Sequence, residues 1–338
     1  MKIALDVMGG DLAPVEPVKG AVQAAAEFDV DVALVGPPDL IEAELKHFGP
    51  QRRLSIVPAS DTISMEEERI VQAVRQRRDA SINVATIMVR DGQADAVVSA
   101  GNTGAVMASA FLYLGRIPGI ERPALGTLLP YNAGRVFLID AGANTDCRPN
   151  HLVQFAQMGS AFVEKVVRVH NPRVGLLNVG EESVKGNELA QEAFERLKEA
   201  NINFIGNIEG VNVHKGLVDV IVTDGFTGNI ALKVGEGIAD YILAQVRATI
   251  KSSLLFAPAA LLLKPALRRA LKSLQYEEYG GANLLGVNGV VVIGHGRSDA
   301  MAIKNGLRVA QNAASSGLME TMRASFSEQA PAPQTASP

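Results

Sequence analysis

Short apolar segments of strand composition alternate along this chain with longer segments of helical periodicity. The strand-like segments are Ile3–Val7, Val32–Val35, Leu54–Val57, Ala96–Ser99, Arg135–Ile139, Val174–Val179, Phe204–Ile208, Val218–Thr223 and Val290–Ile293. The helical segments include Val15–Glu27, Asp39–Phe48, Ser81–Asp91, Leu152–Val169, Asn187–Ala200 and Asn229–Ile250. This alternation is typical of a mostly parallel sheet with helices on both faces. We therefore predict a three-layer α/β/α fold that binds its ligand at the carboxyl ends of the strands.

The length of 338 residues exceeds the ~250–300 residues at which single cores usually stop growing. We predict one α/β catalytic unit over residues 1–326, or two coupled subdomains within it. Residues 327–338 contain three prolines and no large apolar side chain, which predicts a disordered tail.

Composition excludes several classes of function. A formal net charge of −4 argues against bulk nucleic-acid binding. Cys147 is the only cysteine, so an internal disulfide is excluded and a reducing compartment is favoured. The chain begins with a strand-like segment and has no run of the ~18–20 apolar residues that a spanning helix needs. We expect a cytoplasmic protein.

Two segments repeat one pattern, a strand followed by G-x-T-G and a helix. They are residues 95–108 and 219–232, with the turns at Gly101–Gly104 and Gly225–Gly228. Glycines let consecutive N–H groups point outward, and the helix that follows adds the positive end of its dipole, so such a turn can bind phosphate without lysine. For a single copy, a tight connection with threonine as the helix cap is an equal alternative. Two copies favour phosphate binding, with Asn102, Thr103 and Thr227 as additional polar groups.

Three further turns rich in glycine, acid and amide residues follow strands: Met8–Asp11, Asp140–Asn144 and Asn178–Asn187. Together the predicted strand ends would gather Asp11, Asn144, Glu181, Lys185 and Asn229 in one crevice. Each residue alone is more simply a turn residue. As a group they suit the stabilisation of negative charge in acyl or phosphoryl transfer.

Other kinds of chemistry find little support. No Walker loop, no G-x-G-x-x-G after a strand and no G-x-S-x-G elbow is present, which lowers the expectation of ATP hydrolysis, NAD binding or a serine nucleophile. The five histidines form no metal-ligand pair, so we predict neither a metal nor a cofactor. His295, between two glycines after an apolar strand, is the one histidine that we place near a site, and a turn role is equally compatible.

Residues 241–276 contain no acidic side chain and combine apolar and basic groups. A run of ten apolar residues, Leu254–Leu263, is flanked by cations. It is too short to span a bilayer, but a helical hairpin of this kind can lie in an anionic membrane interface or contact a carrier protein. A dimer interface or a core helix is the alternative, and dimer packing is compatible with membrane contact. The predicted contact residues are Leu254, Leu255, Phe256, Leu261, Leu262, Leu263, Lys264, Arg268 and Arg269.

Seven segments taken in order resemble one family closely. They are Leu5–Asp11, Val98–Ala105, Gly119–Leu125, Asp140–Asn144, Gly180–Gly186, Asp224–Asn229 and Gly281–Gly286. The family is the phosphate acyltransferase of bacterial phospholipid synthesis, and the resemblance covers residues 2 to about 315.

The resemblance implies transfer of a long-chain acyl group from acyl carrier protein to inorganic phosphate. The acyl phosphate would serve the glycerol-3-phosphate acyltransferase that follows. It also implies a homodimer, peripheral attachment to the inner face of the cell membrane and a fold similar to the isocitrate and isopropylmalate dehydrogenases.

For this reaction we expect both G-x-T-G turns to hold phosphate while it attacks the thioester directly. Lys185 and Asn229 would neutralise the developing charge, and Asn102 and Asn144 would orient the substrates. The alternatives are a phosphotransacylase that uses acyl-CoA, an inactive membrane-associated dimeric scaffold, and a metal- and NAD-dependent dehydrogenase, which the missing carboxylate cluster disfavours.

Overall fold

The computed structural model describes residues 1–131, 134–251 and 280–327. The strands are β1 (Lys2–Asp6), β2 (Asp31–Gly36), β3 (Leu54–Pro58), β4 (Ala96–Ser99), β5 (Ala124–Tyr131), β6 (Gly134–Ile139), β7 (Arg173–Asn178), β8 (Asn203–Glu209), β9 (Val220–Val222), β10 (Ala282–Leu285) and β11 (Val290–Ile293). The helices are α1 (Val15–Glu27), α2 (Pro38–Leu45), α3 (Ile70–Gln76), α4 (Ser81–Arg90), α5 (Thr103–Tyr113), α6 (Pro149–Phe162), α7 (Glu188–Glu199), α8 (Gly225–Lys251), α9 (Ala300–Ser315) and α10 (Leu318–Ser327). A π-helical turn, Val163–Val167, continues α6, and a 3₁₀ helix, Gly210–Lys215, follows β8.

All these strands form one sheet in the order β3-β2-β1-β4-β11-β10-β5-β6-β9-β7-β8. The pairings are parallel except for β10–β11, β5–β10 and β5–β6. The β3-β2-β1-β4-β11 group therefore runs opposite to the β6-β9-β7-β8 group. As a consequence, the carboxyl ends of the two groups lie at opposite edges of the sheet.

Apolar residues cover both faces of the sheet, which produces the three layers. On one face, a cluster that includes Ala4, Val97, Leu138 and Ile221 packs under the helices that follow the turns. On the other face, one cluster joins α1 and α9 to the first group of strands, and a second joins α6, α7 and α10 to the second group. A strand that is buried on both faces consists of an almost continuous run of apolar residues. These strands are therefore easy to recognise in the sequence.

The predicted α/β/α fold is confirmed, and each strand-like segment overlaps one of the strands of the sheet. The antiparallel strands β5 and β10 were not predicted, because β5 contains Gly126 and Pro130 and the four-residue β10 contains the polar Asn283. The predicted hairpin 241–276 coincides with α8 up to Lys251, and its remainder lies outside the described residues. The contact residues between Leu254 and Arg269 and the tail from residue 328 also lie outside them. Within the described part, no helix combines the length and hydropathy needed to cross a membrane.

Candidate active site

The first G-x-T-G turn joins β4 to α5 and begins the helix with the backbone N–H groups of Thr103 and Gly104. The side-chain oxygen of Asn102 accepts the N–H of Ala105 at 3.2 Å, so Asn102 caps the helix, while its Nδ2 donates to the carbonyl of Met65 at 2.9 Å. Within the described residues, the N–H groups of Thr103 and Gly104 have no acceptor. An anion at this helix start would find two free donors and the positive end of the helix dipole.

The first turn rests on the end of β1. Asp6 is buried, and the hydroxyl of Ser99 donates to its Oδ2 at 2.7 Å. Burial raises the pKa of Asp6, and hydrogen bonds from Ser81, Ser99 and the backbone oppose that effect. Gly9 packs so closely that a Cβ there would lie 2.7 Å from the amide nitrogen of Gly101. The turn is therefore held rigidly against its neighbouring strand.

The second G-x-T-G turn joins β9 to α8 and already contains a carboxylate. Asp224 accepts the N–H of Thr227 at 2.9 Å and the Thr227 hydroxyl at 2.7 Å. The N–H of Gly225 donates to the carbonyl of Asn144 at 2.7 Å. Most of the N–H and hydroxyl donors that the sequence suggested for phosphate at this second turn thus already donate to acceptors within the protein.

Asp140 lies below the second turn and is buried. Its carboxylate accepts the N–H groups of Leu125, Gly142 and Ala143, and Asn144 donates to it through both its backbone N–H and its side-chain amide, each at 2.8 Å. Burial raises the pKa of Asp140, and these hydrogen bonds oppose that effect. Asn144 therefore positions Asp140, and its Nδ2 also donates to the carbonyl of Pro123.

Cys147 lies next to this network. Burial, with the charge of Asp140 as the next cause, raises the pKa of the Cys147 thiol to about 12. A thiol with so high a pKa carries almost no thiolate at neutral pH, so Cys147 is not an activated nucleophile.

A cavity of about 620 Å³ connects the two edges of the sheet beneath α8. Its walls are mostly apolar: Leu125, Leu128, Leu129, Leu138, Leu177, Val213, Ile221, Ala231, Leu232 and Ala239. Gly101, Thr103 and Met65 line it near the first turn, and Ala141 and Asn229 line it near the second. The cavity therefore joins an apolar chamber to Gly101 and Thr103 at the start of α5.

Polar groups of the wall come from α8 and from the segment that follows β11. Asn229 of α8 donates to the carbonyl of Ala141 at 3.2 Å. Lys233, one turn further along α8, lies with its Nζ 3.5 Å from Nε2 of His295 and 2.8 Å from a carboxylate oxygen of Glu236. The buried Ser298 follows β11 and also lines the cavity.

The other predicted residues lie outside the cavity wall. Asp11 is exposed, and its N–H donates to the carbonyl of Gly296 at 2.8 Å, which places it beside His295. Lys185 is exposed, packs over Gly180 and is absent from the lining residues. Glu181 accepts the side-chain amide of Asn212 at 2.9 Å. Opposite strand directions separate Asp11 and the first turn from the Lys185 loop, so the expected single crevice is replaced by a cavity with two ends.

Two comparisons with sequences identify the family. The family model described as "Fatty acid synthesis protein" matches residues 1–321. The phosphate acyltransferase of Heliobacterium modesticaldum is 51% identical over 333 residues, which cover 98% of both chains. That of Pelotomaculum thermopropionicum is 48% identical over 326 residues, which cover 96% of this chain and 95% of the relative. The chain belongs to the phosphate acyltransferase family.

Solved structures support the fold of this phosphate acyltransferase family member. A phosphotransacetylase from Streptococcus pyogenes superposes with a TM-score of 0.62 at 17% identity, covering 93% of this chain and 94% of the other. A 4-hydroxythreonine-4-phosphate dehydrogenase from Klebsiella pneumoniae gives 0.52 at 12% identity, covering 93% and 99%. At these identities the likeness establishes the α/β/α architecture only. The family resemblance and the acyltransferase class inferred from sequence motifs are confirmed by the relatives.

Sequence reasoning missed Asp224 and Lys233 as polar groups of this phosphate acyltransferase family member's site. Asp224 lies inside the second motif, directly before its first glycine, where a carboxylate is a favoured helix cap. Lys233 gave no signal, because one lysine on a long helix is usually a solvated residue. Within the described residues, no group of His, Cys, Asp and Glu side chains could hold a metal ion.

Proposed function

We propose that this protein transfers a long-chain fatty acyl group from acyl carrier protein to inorganic phosphate. An oxygen of hydrogenphosphate forms a bond to the thioester carbonyl carbon, and the bond from that carbon to sulfur breaks. The proton lost by the phosphate balances the one gained by the departing thiolate, so the products are acyl phosphate and the free thiol of the carrier. The observation that carries the proposal is the apolar cavity that ends at the amide groups of the first turn.

The apolar part of the cavity suits a fatty acyl chain. Leucine and isoleucine side chains from β5, β6, β7, β9 and α8 form its walls, together with Val213 of the 3₁₀ helix. Its volume of about 620 Å³ lies within the ~300–1,000 Å³ typical of small-ligand sites. Burial of a hydrocarbon chain there would contribute roughly 0.8 kcal/mol per methylene.

Phosphate binding fits the first turn better than the second. Thr103 and Gly104 present N–H groups that have no acceptor in the described part of the chain. In the second turn, the carboxylate of Asp224 already accepts from Thr227 and would repel an anion. We therefore propose that Gly101–Gly104 holds phosphate. The predicted phosphate contact of Gly225, Thr227 and Gly228 stays a prediction, and their contacts favour a role in fixing the start of α8.

Asn229 is the proposed donor for the thioester carbonyl. Its side-chain amide reaches the cavity from the first turn of α8. One such donor to a developing oxyanion typically lowers the barrier by ~2.7–4 kcal/mol. Lys185 remains the second proposed group, and its exposed position would require the acyl carrier or a second copy of the chain to bring it into contact with the substrate.

A second copy of the chain is proposed to cover α8. Phe226, Ile230, Val234 and Ile238 recur every four residues along this helix, and each is between 48% and 59% exposed. Four-residue spacing places them on one face, as in helix pairs. Such a stripe supports the homodimer.

Attachment to the inner face of the cell membrane is proposed for the segment that follows α8. Leu254–Leu263 supplies apolar side chains, and Lys264, Arg268 and Arg269 supply cations for anionic head groups. These cations would also attract an acidic carrier protein. The acyl phosphate would then be released near the membrane, where a glycerol-3-phosphate acyltransferase consumes it.

The test is a trapping assay with purified protein. Palmitoyl-acyl carrier protein is incubated with and without inorganic phosphate, and acyl phosphate is captured with hydroxylamine. We expect product that depends on phosphate and that falls at least tenfold in Asn229→Ala and in Lys185→Ala. Product from palmitoyl-CoA but not from the carrier protein would replace the proposed donor with acyl-CoA. No product from either donor would favour the scaffold without activity.

A further inference from the structure

Ser298 is a buried serine on the cavity wall, in the segment that joins β11 to α9. It is 5% exposed and lines the cavity. Among residues 1–131, 134–251 and 280–327, no group donates a hydrogen bond to its hydroxyl or accepts one from it. Buried hydroxyls nearly always have a partner, because an unpaired one costs free energy. A buried hydroxyl on a cavity wall with no such partner is therefore a candidate contact for a ligand.

The start of α9 does not use this hydroxyl. A serine just before a helix commonly caps it by accepting a backbone N–H. Here the carboxylate of Asp299 accepts the N–H of Ala302 at 2.9 Å, and a carboxylate oxygen of Glu16 accepts the first N–H of the helix at 2.6 Å. The backbone N–H of Ser298 donates to the carbonyl of His295 at 2.9 Å, which closes the turn without the serine side chain. The local backbone therefore gives the hydroxyl no structural role.

The hydroxyl lies beside the residue that precedes the first turn. β11 pairs with β4 in parallel, so the segments that follow these two strands leave the sheet at the same edge. A Cβ at Gly294 would lie 3.2 Å from Oγ of Ser298 and 3.3 Å from Cβ of Ala100. Both residues thus border the space that the missing side chain of Gly294 leaves open. Because Gly101 and Thr103 line the same cavity, the hydroxyl and the start of α5 border the same end of it.

We propose that the hydroxyl of Ser298 binds the inorganic phosphate together with the amide groups of Thr103 and Gly104. This inference rests on the proposed function and assigns a further residue to the phosphate subsite. Backbone N–H groups only donate hydrogen bonds, so they suit the ionised oxygens of phosphate. Hydrogenphosphate also carries an O–H group, and a serine hydroxyl can both donate and accept. Ser298 can therefore pair with either kind of phosphate oxygen and orient the anion.

The experiment measures phosphate binding by calorimetry without an acyl donor, KM for phosphate, KM for the acyl donor, and thermal unfolding without phosphate. Ser298→Ala removes the hydroxyl, and Ser298→Thr keeps it. Ser109→Ala is the matched control, because it also removes a buried serine hydroxyl and lies on α5. The Ser109 hydroxyl donates to Oγ1 of Thr86 at 3.1 Å and lies outside the described cavity wall.

We expect the dissociation constant of phosphate and KM for phosphate to rise about tenfold in Ser298→Ala, because a hydrogen bond to a charged ligand is lost. Ser298→Thr should restore most of the loss. The midpoint of thermal unfolding without phosphate should be unchanged or higher in Ser298→Ala, since an unpaired buried hydroxyl is removed. Ser109→Ala should show the opposite pattern, with a lower midpoint and phosphate constants within about twofold of the parent protein. KM for the acyl donor should stay within about twofold in every variant.

Two results would overturn the inference. One is a KM and a dissociation constant for phosphate that both stay within about twofold in Ser298→Ala, whether or not KM for the acyl donor rises. The other is an equal loss of phosphate binding in Ser109→Ala, which would show that any missing buried hydroxyl disturbs the site. If the parent protein binds phosphate, loses that binding in Ser298→Ala and yet forms no acyl phosphate, the proposed function fails and the subsite stands. A parent protein that neither binds phosphate nor forms acyl phosphate would refute both.

Discussion

The two G-x-T-G turns have the same surroundings and differ in what they can bind. Each follows a strand that an aspartate directly precedes, and Asp95 and Asp219 accept the N–H of Lys2 and Arg173 on the neighbouring strand at 2.7 and 2.8 Å. Each turn packs against a buried aspartate at the end of an adjacent strand. At the position before the first glycine, however, the first turn has Ala100 and the second has Asp224.

That one difference decides the chemistry of the two helix starts. Asp224 satisfies amide groups of α8 and compensates the positive end of its dipole. Ala100 provides no such carboxylate at α5, where the neutral amide of Asn102 caps the helix. We therefore propose that the repeated motif specifies the same backbone twice and an anion site once.

The largest expected difference between the turns is in their tolerance of a methyl group. A Cβ at Gly228 would overlap the carbonyl oxygen of Asp140, whereas a Cβ at Gly104 would lie 2.7 Å from the flexible end of Ile70. We expect Gly228→Ala to lose more than about 3 kcal/mol of unfolding free energy and Gly104→Ala less than about 1 kcal/mol. Urea denaturation measures both, and equal losses would show that the second turn is no more tightly packed than the first.

A smaller difference concerns the two asparagines. The Asn144 side chain is buried and donates to Asp140 and to the Pro123 carbonyl, both at 2.8 Å, so Asn144→Ala removes one donor from each of two acceptors. We expect a loss of roughly 2 kcal/mol. Asn102→Ala removes an accessible helix cap and should cost about 1 kcal/mol. Thermal unfolding of the two variants gives the comparison, and a greater loss in Asn102→Ala would reverse the assigned roles.

The smallest difference concerns Asp219. Burial opposes its ionisation, but the hydrogen bonds and charge of Arg173 outweigh burial and lower the pKa of Asp219 below 3.8. A lowered pKa stabilises the folded state above pH 3.8, and this contribution is lost as the pH falls through the folded-state value.

Asp219→Asn should therefore lose less than about 1 kcal/mol at pH 7, since the guanidinium is accessible to solvent. The difference from the parent protein should shrink as the pH is lowered towards 3. Unfolding free energies measured across this range test the prediction, and a difference that grows towards acid would contradict it.

The sequence predicted the fold because strands buried on both faces lack the alternating polar residues of a half-exposed strand and form continuous apolar runs. The sequence did not predict β5 and β10. In β5, Gly126 and Pro130 interrupt the apolar pattern. These two strands reverse the direction of the sheet, so missing them also led to the expectation of one crevice.

Site residues that belong to one short motif were predictable from the sequence. Site residues that meet only through long-range contacts were missed. The start of α5 at Thr103 follows from the motif itself. Lys233 and His295 are 62 residues apart, and only the length and direction of α8 bring them together. The predicted contacts of Lys185 and of the segment after α8 stay predictions.

The central claim, that the first turn and not the second binds phosphate, is tested by exchanging their cap residues. Asn102→Asp places a carboxylate at the first turn, and Asp224→Asn removes the one at the second, while each variant keeps an oxygen for the cap. We predict that KM for phosphate rises about tenfold or more in Asn102→Asp, because a like charge now faces the anion. It should stay within about twofold in Asp224→Asn. An unchanged KM in Asn102→Asp together with a lower KM in Asp224→Asn would place phosphate at the second turn and contradict the account.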